Sequence, residues 1–131
     1  MANIQPIGVL IVDDQPEVRR ALSGLLKMLP DCFLVGEAND GHEALDLAPQ
    51  IKPDLVIMDV NMPGMDGFEA TKQLREILPG TKVLILTQHD SPQAVDAAKG
   101  AGACGYVVKS DSRNLSSAIA AVSKGLSYFP A

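Results

Sequence analysis

The sequence has little cysteine, little positive charge and no long apolar run, and each of these shortages excludes a class of protein. Its 131 residues include two cysteines, Cys32 and Cys104, which lie far apart in apolar stretches instead of in the dense spacing of a disulfide framework. We therefore expect reduced thiols in a cytosolic protein. Eleven Lys and Arg against 16 Asp and Glu give a net charge of −5, which argues against nucleic acid or an anionic membrane as partner.

The first residues predict neither a signal peptide nor a membrane span. The stretch MANIQPIGVLIVDD has no positively charged leader, and its apolar run Val9–Val12 is cut off by Asp13 and Asp14. Apolar residues nevertheless make up 47% of the chain. A chain of this length buries roughly two-thirds of its unfolded surface, enough for one core. We expect a single domain over residues 1–131.

Five short apolar runs predict the strands of a parallel sheet. These runs are rich in β-branched residues, and stretches whose apolar residues recur with the period of a helix separate them. The runs are Ile7–Val12, Phe33–Ala38, Asp54–Met58, Lys82–Leu86 and Tyr106–Val108. Segments such as VLIV, LVIM and VLIL lack polar alternation, which is typical of strands covered on both faces. The pattern therefore predicts an α/β fold: a (βα)₅ doubly wound parallel sheet with strand order 2-1-3-4-5.

Local signals place the helices between these strands. Helix starts are indicated by Pro16, by the acid-x-x-Glu pairs Asp40/Glu43 and Asp66/Glu69, and by Ser91 before Pro92. Inner faces are indicated by the apolar stripes Val18, Leu22, Leu25 and Leu29, and Leu115, Ile119 and Val122.

Polar side chains follow the predicted strands at their carboxyl ends, namely Asp13 and Asp14, Asp59, Thr87 and Lys109. In a doubly wound sheet these ends meet at one edge, where ligands bind near the switch point between strands 1 and 3. A single acid has ordinary alternatives: Asp14 could cap the helix entered at Pro16, and Asp59 could begin a turn. The five residues together predict a functional site.

The residue types at this edge favour phosphoryl chemistry with a hard metal ion. Three carboxylates in one pocket repel each other unless their pKa values rise or a cation joins them, and Mg²⁺ suits such oxygen ligands. His42 and His89 stand alone, so zinc is not expected. Asp59 is the candidate nucleophile, because a carboxylate can attack phosphorus to give an acyl phosphate. Lys109 would supply a positive charge and Thr87 a hydroxyl donor.

The motifs carrying these residues resemble the receiver domains of two-component response regulators. The resemblance extends over essentially the whole chain, through VLIVDD, DLVIMDVNMPGMDG, VLILT and GYVVKS. It implies a flavodoxin-like receiver fold with Asp59 as the phosphoacceptor. It further implies that Asp14 binds Mg²⁺ directly, that Asp13 acts largely through water, and that Asn61 contributes its backbone carbonyl.

The same resemblance implies a switch instead of a turnover enzyme. A histidine kinase or phosphotransfer protein would supply the phosphoryl group, which Thr87 and Lys109 would contact and which would then be slowly hydrolysed. Tyr106 would turn inward when Thr87 moves, although an ordinary half-buried strand tyrosine is its simpler interpretation. The face of helix 4, strand 5 and helix 5 would be remodelled, favouring a homodimer or controlling an output domain.

The C-terminal part of the sequence is most similar to one branch of that family. The stretch AGACGYVVKSDSRNLSSAIAAVSKGLSYFP looks like NarL/LuxR-type receivers, which precede a helix-turn-helix DNA-binding domain. The chain stops at Ala131, so we expect a receiver fragment of a transcription regulator in preference to a free-standing receiver. The missing domain would bind DNA, and this chain itself would not.

Two positions depart from the usual receiver pattern. Gln88 follows the switch threonine, where Ala or Gly is common, so a larger side chain could narrow access to the pocket or hold a water. With His89, it is a candidate for tuning access and the lifetime of the acyl phosphate. Ser110 stands where many receivers have Pro after a cis peptide bond, and the sequence leaves the isomer of the Lys109–Ser110 bond open.

Other functions fit the sequence less well. A haloacid-dehalogenase-type phosphatase needs a second Asp two residues after its nucleophile, and Asn61 at that position cannot titrate. A phosphorylation-independent docking module would normally have lost one of the site residues. The stretch 100–105 matches GxGxxG but lies between a predicted helix and a strand, the reverse of the dinucleotide-binding context, so its glycines are expected to end the helix and form a turn.

Overall fold

Strands and helices alternate throughout residues 6–130, which are the residues that the computed structural model describes. The strands are β1 (Ile7–Val12), β2 (Cys32–Ala38), β3 (Leu55–Met58), β4 (Lys82–Thr87) and β5 (Gly105–Val108). The helices are α1 (Pro16–Lys27), α2 (Gly41–Ile51), α3 (Gly67–Ile77), α4 (Pro92–Ala101) and α5 (Leu115–Ser123), and a 3₁₀ segment (Lys109–Asn114) precedes α5. None of these helices is both long and apolar enough to cross a membrane.

The five strands form one parallel sheet in the order β2-β1-β3-β4-β5. The predicted doubly wound α/β fold is therefore confirmed, and each predicted strand is present to within one residue at either end. In the centre of the sheet Val12 lies beside Met58, which lies beside Ile85. Strands β1 and β3 therefore end at the same level, and β4 continues for two more residues, to Thr87. This register brings the residues that follow these strands together.

The core has two parts, one on each face of the sheet. Helices α2, α3 and α4 cover one face, and α1 and α5 cover the other. The run Val9–Val12 is at most 1% exposed, which explains why it lacks polar alternation. In α1 the buried residues are Leu22 and Leu26. Leu26 was not in the predicted stripe, whose members Val18, Leu25 and Leu29 are partly buried.

Most of the predicted helix starts are confirmed by side-chain caps. Asp40 and Asp66 accept hydrogen bonds from the backbone N–H of Glu43 and Glu69 at 2.8 and 2.9 Å, and Ser91 caps α4 through the N–H of Ala94. The cap residue of α1 is Gln15, without a side-chain cap bond, so the capping role considered for Asp14 is wrong. Gly102 ends α4 with φ of +97°, as expected for the glycine-rich stretch.

After α5 the chain returns to the open edge of β5. Tyr128 forms a parallel bridge with Gly105, with its N–H donating to the Cys104 carbonyl at 3.0 Å and its carbonyl accepting from the Tyr106 N–H at 2.8 Å. We call residues 126–130 the C-terminal strap. The sequence patterns did not predict it.

Candidate functional site

The predicted acidic residues converge at the carboxyl edge of the sheet. One carboxylate oxygen from each of Asp13, Asp14 and Asp59 lies within 4.8 Å of the others. The Asp59 N–H donates to the carbonyl of Val12 at 2.9 Å, which ties the end of β3 to the end of β1. Asp13 and Asp59 are 1% and 6% exposed, whereas Asp14 is exposed, so the pocket opens on the Asp14 side.

Asp13 is held in one orientation by three contacts. Its Oδ1 accepts from the Gln15 N–H at 2.9 Å, its Oδ2 accepts from Lys109 Nζ at 2.9 Å, and its backbone carbonyl accepts from Arg19 at 2.7 Å. Arg19 also forms an ion pair with Glu37 at 3.3 Å. Sequence reasoning missed Arg19, whose position one turn into α1 was the only available signal.

Asp59 is a buried carboxyl group with incomplete charge compensation. Its Oδ1 accepts from the Val60 N–H at 2.9 Å and lies 3.4 Å from Lys109 Nζ. Burial, and then the charge of Asp13, raise the pKa of Asp59 above its ordinary value, and the opposing effects of Lys109 and the Val60 N–H do not cancel them. A further cation would therefore stabilise the ionised pocket, and the all-oxygen donor set fits Mg²⁺.

Lys109 lies between the two buried acids, immediately after β5. Burial by itself would lower the pKa of Lys109, but the hydrogen bond that Lys109 donates to Asp13 and the charges of Asp59 and Asp13 outweigh it and raise the pKa. The ammonium group therefore stays charged near neutral pH. Residues 6–130 contain no cis peptide bond, so the Lys109–Ser110 bond is trans.

Gly67 allows α3 to begin directly against the backbone of Asp59. Its N–H donates to the Val60 carbonyl at 2.9 Å. A Cβ at position 67 would overlap the carbonyl oxygen of Asp59 and would lie 2.8 Å from its carbonyl carbon. Glycine is therefore required at this position, because any side chain would collide with the backbone of Asp59.

We expect Gly67→Ala to destabilise the protein and to displace Asp59, because the atoms it meets belong to the backbone and cannot rotate away. Overpacking of this kind costs about 1–3 kcal/mol or more. Urea unfolding measures the loss. Gly100→Ala is the matched control, since Gly100 lies in α4 with open space around it. Equal stability of Gly67→Ala and wild type would contradict the expectation.

His89 connects the remaining predicted site residues. Its N–H donates to Thr87 Oγ1 at 3.2 Å, and its carbonyl accepts from the Tyr106 hydroxyl at 2.6 Å. Its ring Nε2 lies 2.7 Å from Asn61 Nδ2. Thr87 is fully buried, whereas Asn61 and His89 are exposed. The two backbone contacts of His89 carry no sequence signal, so this connecting position was not predicted.

Tyr106 points into the protein, and Gln88 points out. The Tyr106 side chain is 1% exposed, so the half-buried strand interpretation does not describe it. Burial, followed by the charge of Asp90, raises the pKa of its phenol, so the hydroxyl stays protonated and donates to His89. Gln88 is exposed.

A protein-family model and several curated proteins match most of this chain. A family model described as response regulator receiver domain matches residues 9–120. The transcriptional regulatory protein LiaR of Bacillus subtilis (strain 168) is 42% identical over 120 residues, covering 91% of this chain and 57% of LiaR. The nitrate/nitrite response regulator NarL of Escherichia coli (strain K12) is 37% identical over 109 residues, covering 83% of this chain and 50% of NarL. The chain thus spans about half the length of these curated relatives.

A solved structure is similar to this chain in both fold and sequence. The crystal structure of a two-component response regulator of the LuxR family from Aurantimonas sp. SI85-9A1 matches with a TM-score of 0.91 and 37% identity. The match covers 95% of this chain and 89% of that one.

Proposed function

The chain belongs to the response regulator receiver family, in its NarL/LuxR-type branch, and from that premise we propose that it is a switch operated by phosphorylation of Asp59. The observation that carries the proposal is the position of Asp59: a buried carboxylate beside a charged Lys109, with two further carboxylates within 4.8 Å. The phosphoryl donor would be a phosphohistidine of a kinase or phosphotransfer protein.

The contacts of Asp59 support different roles for its two carboxylate oxygens. Oδ1 is occupied by the Val60 N–H and by Lys109, so we assign Oδ2 as the attacking atom. A bond forms between Oδ2 and phosphorus while the bond from phosphorus to the donor nitrogen breaks, and its electron pair leaves with the donor. Lys109 then neutralises part of the charge on the phosphoryl oxygens, to which the Thr87 hydroxyl donates.

Mg²⁺ would be held by Asp13, Asp14, Asp59 and the backbone carbonyl of Asn61. When bound, it supplies positive charge that offsets the carboxylates and the phosphoryl oxygens. The chain contributes the fixed orientation of Asp13, set by Gln15 and Arg19, and the exposed Asp14 at the mouth of the pocket.

The switch itself would act through Thr87, His89 and Tyr106. If the Thr87 hydroxyl turns to a phosphoryl oxygen, its contact with the His89 N–H changes, and His89 also holds the Tyr106 hydroxyl. The α4, β5 and α5 face then adopts a second arrangement that favours a homodimer or an output domain. Phosphorylation thus shifts a population between two states. We propose slow self-catalysed hydrolysis, as a switch requires, and no turnover of a free substrate.

The longer relatives suggest the context of the switch. Because the chain covers about half of LiaR and NarL, we propose that it is the receiver region of a cytoplasmic transcription regulator whose DNA contacts lie outside residues 1–131. The phosphatase alternative is not favoured, because the amide of Asn61 bonds to His89 and cannot act as an acid or base. The docking-module alternative is not favoured, because the acids, Thr87 and Lys109 are all in place.

The direct test is the intact mass of the protein after incubation with acetyl phosphate and Mg²⁺. We expect a gain of one phosphoryl group that disappears when EDTA is present. No gain from acetyl phosphate or from a phosphorylated histidine donor would refute the proposed function.

We expect Gln88→Ala to accelerate both the gain and the loss of the phosphoryl group with acetyl phosphate. Gln88 is an exposed residue in the loop after β4, and a shorter side chain opens the approach for a small donor and for water. Time courses of intact mass measure both rates. Gln93→Ala, an exposed glutamine in α4, is the control, and unaltered rates in Gln88→Ala would show that Gln88 does not tune access.

A further inference from the structure

The C-terminal strap is joined to the residue at the centre of the proposed switch. Tyr106 makes two polar contacts on opposite sides: its hydroxyl donates to the carbonyl of His89 at 2.6 Å, and its backbone N–H donates to the carbonyl of Tyr128 at 2.8 Å. Tyr128 in turn donates to the carbonyl of Cys104 at 3.0 Å. A line of hydrogen bonds therefore runs from Thr87 through His89 and Tyr106 to the strap.

The side chains of the strap bind it to both faces of the sheet. Tyr128 packs against the core of α1 and α5, whereas Phe129 packs against the core that contains Tyr106. This alternation is that of an extended strand. Phe129 also lies under Lys99 of α4, with 5.0 Å between the ammonium nitrogen and the ring centroid, a distance suited to a cation–π contact.

Helix α4 is the weakly packed partner in this arrangement. Ala98 is its only fully buried residue, so little apolar area opposes a displacement of the helix. A movement of α4 changes the Lys99–Phe129 contact. A movement of Tyr106 changes the hydrogen bond from its backbone N–H to the carbonyl of Tyr128. The strap thus meets the two elements that the proposed switch displaces.

We propose that the C-terminal strap transmits the state of Tyr106: it is docked on β5 when Tyr106 points inward, and it loosens when the Tyr106–His89 bond is lost. This inference rests on the proposed function in one respect, namely that phosphorylation of Asp59 favours the inward Tyr106. Phosphorylation would then tighten the strap, and by linkage a loosened strap would weaken binding at the phosphoryl site.

The first test needs no phosphorylation. Tyr106→Phe removes only the hydroxyl that bonds to His89, and we expect faster hydrogen exchange of the Tyr128 amide, whose own acceptor is Cys104. The Leu126 amide bonds to Ala121 at the end of α5, so its exchange is the internal control and should not change. An unchanged Tyr128 amide would overturn the proposal.

The second test measures the reverse direction. Phe129→Ala removes the contact with Lys99, and we expect the affinity for Mg²⁺ with beryllofluoride, a phosphoryl mimic, to fall by about fivefold or more. Leu126→Ala is the control, because this strap side chain is 59% exposed. Wild-type affinity in Phe129→Ala, together with faster exchange of its strap, would overturn the coupling.

The two proposals fail in different ways. A wild-type protein that neither binds beryllofluoride nor gains a phosphoryl group would refute the proposed function. The effect of Tyr106→Phe on the Tyr128 amide would still decide whether the strap follows Tyr106.

Discussion

Asp59→Asn is expected to abolish the gain of a phosphoryl group from acetyl phosphate. The change replaces the carboxylate by an amide of the same shape, and an amide cannot attack phosphorus to form an acyl phosphate. Intact mass with Mg²⁺ present measures the outcome. Asp46→Asn is the matched control, since Asp46 is an exposed carboxylate on α2 and should leave the mass gain unaltered. A full mass gain in Asp59→Asn would show that another residue is the phosphoacceptor.

The same variant should be more stable than wild type in EDTA. Burial and the charge of Asp13 raise the pKa of Asp59, which means that folding disfavours its ionised form. A neutral isostere removes that cost, although it also weakens the contact with Lys109. The gain should shrink when Mg²⁺ is present, because the cation compensates the wild-type carboxylate. Urea unfolding with EDTA and with Mg²⁺ tests both statements.

Lys109→Ala should have the second large effect, a loss of about 3–5 kcal/mol of unfolding free energy in EDTA. Lys109 lies 2.9 Å from Asp13 and 3.4 Å from Asp59. Its removal leaves two buried carboxylates without the cation that faces both of them. The variant should also gain the phosphoryl group more slowly, because the transferred group loses a positive partner.

A matched control separates the effect of losing Lys109 from the effect of losing any lysine. Lys72 is an exposed lysine on α3, and its change to Ala should shift stability by no more than about 0.5 kcal/mol. Added Mg²⁺ should restore part of the stability of Lys109→Ala. A loss below about 1 kcal/mol in EDTA would contradict the expectation and would show that the two carboxylates relax towards solvent without the lysine.

The fold could be predicted because local patterns and topology agree. VLIV, LVIM and VLIL are at most 3% exposed, and a strand buried on both faces leaves a continuous apolar run that is easily recognised. The convergence of Asp13, Asp59 and Lys109 then followed from the parallel order of the strands, without knowledge of any contact. Their roles in phosphorylation remain predictions.

The features that the sequence did not predict depend on backbone positions and on distant pairing. The strap pairs through the main chain of one residue, Tyr128, about 20 residues after β5 in sequence, and a single extended residue has no periodicity. His89 contacts Thr87 and Tyr106 through its backbone N–H and carbonyl, groups that every residue except proline possesses. The need for glycine at position 67 depends on how closely α3 begins against the Asp59 carbonyl, a distance that only the tertiary structure gives.

The C-terminal strap covers the edge strand β5 and thereby protects the sheet from pairing with other chains. An uncovered edge strand offers unpaired N–H and carbonyl groups on which a foreign strand can assemble. Within residues 6–130, Tyr128 occupies that position on β5, and the opposite edge belongs to β2. There the register with β1 shifts between Val9 and Leu10, and Glu37 places a charge on the strand. The irregular, charged edge at β2 and the covered edge at β5 both oppose aggregation through strand pairing. Loosening the strap would expose the edge at β5, which is the more regular of the two.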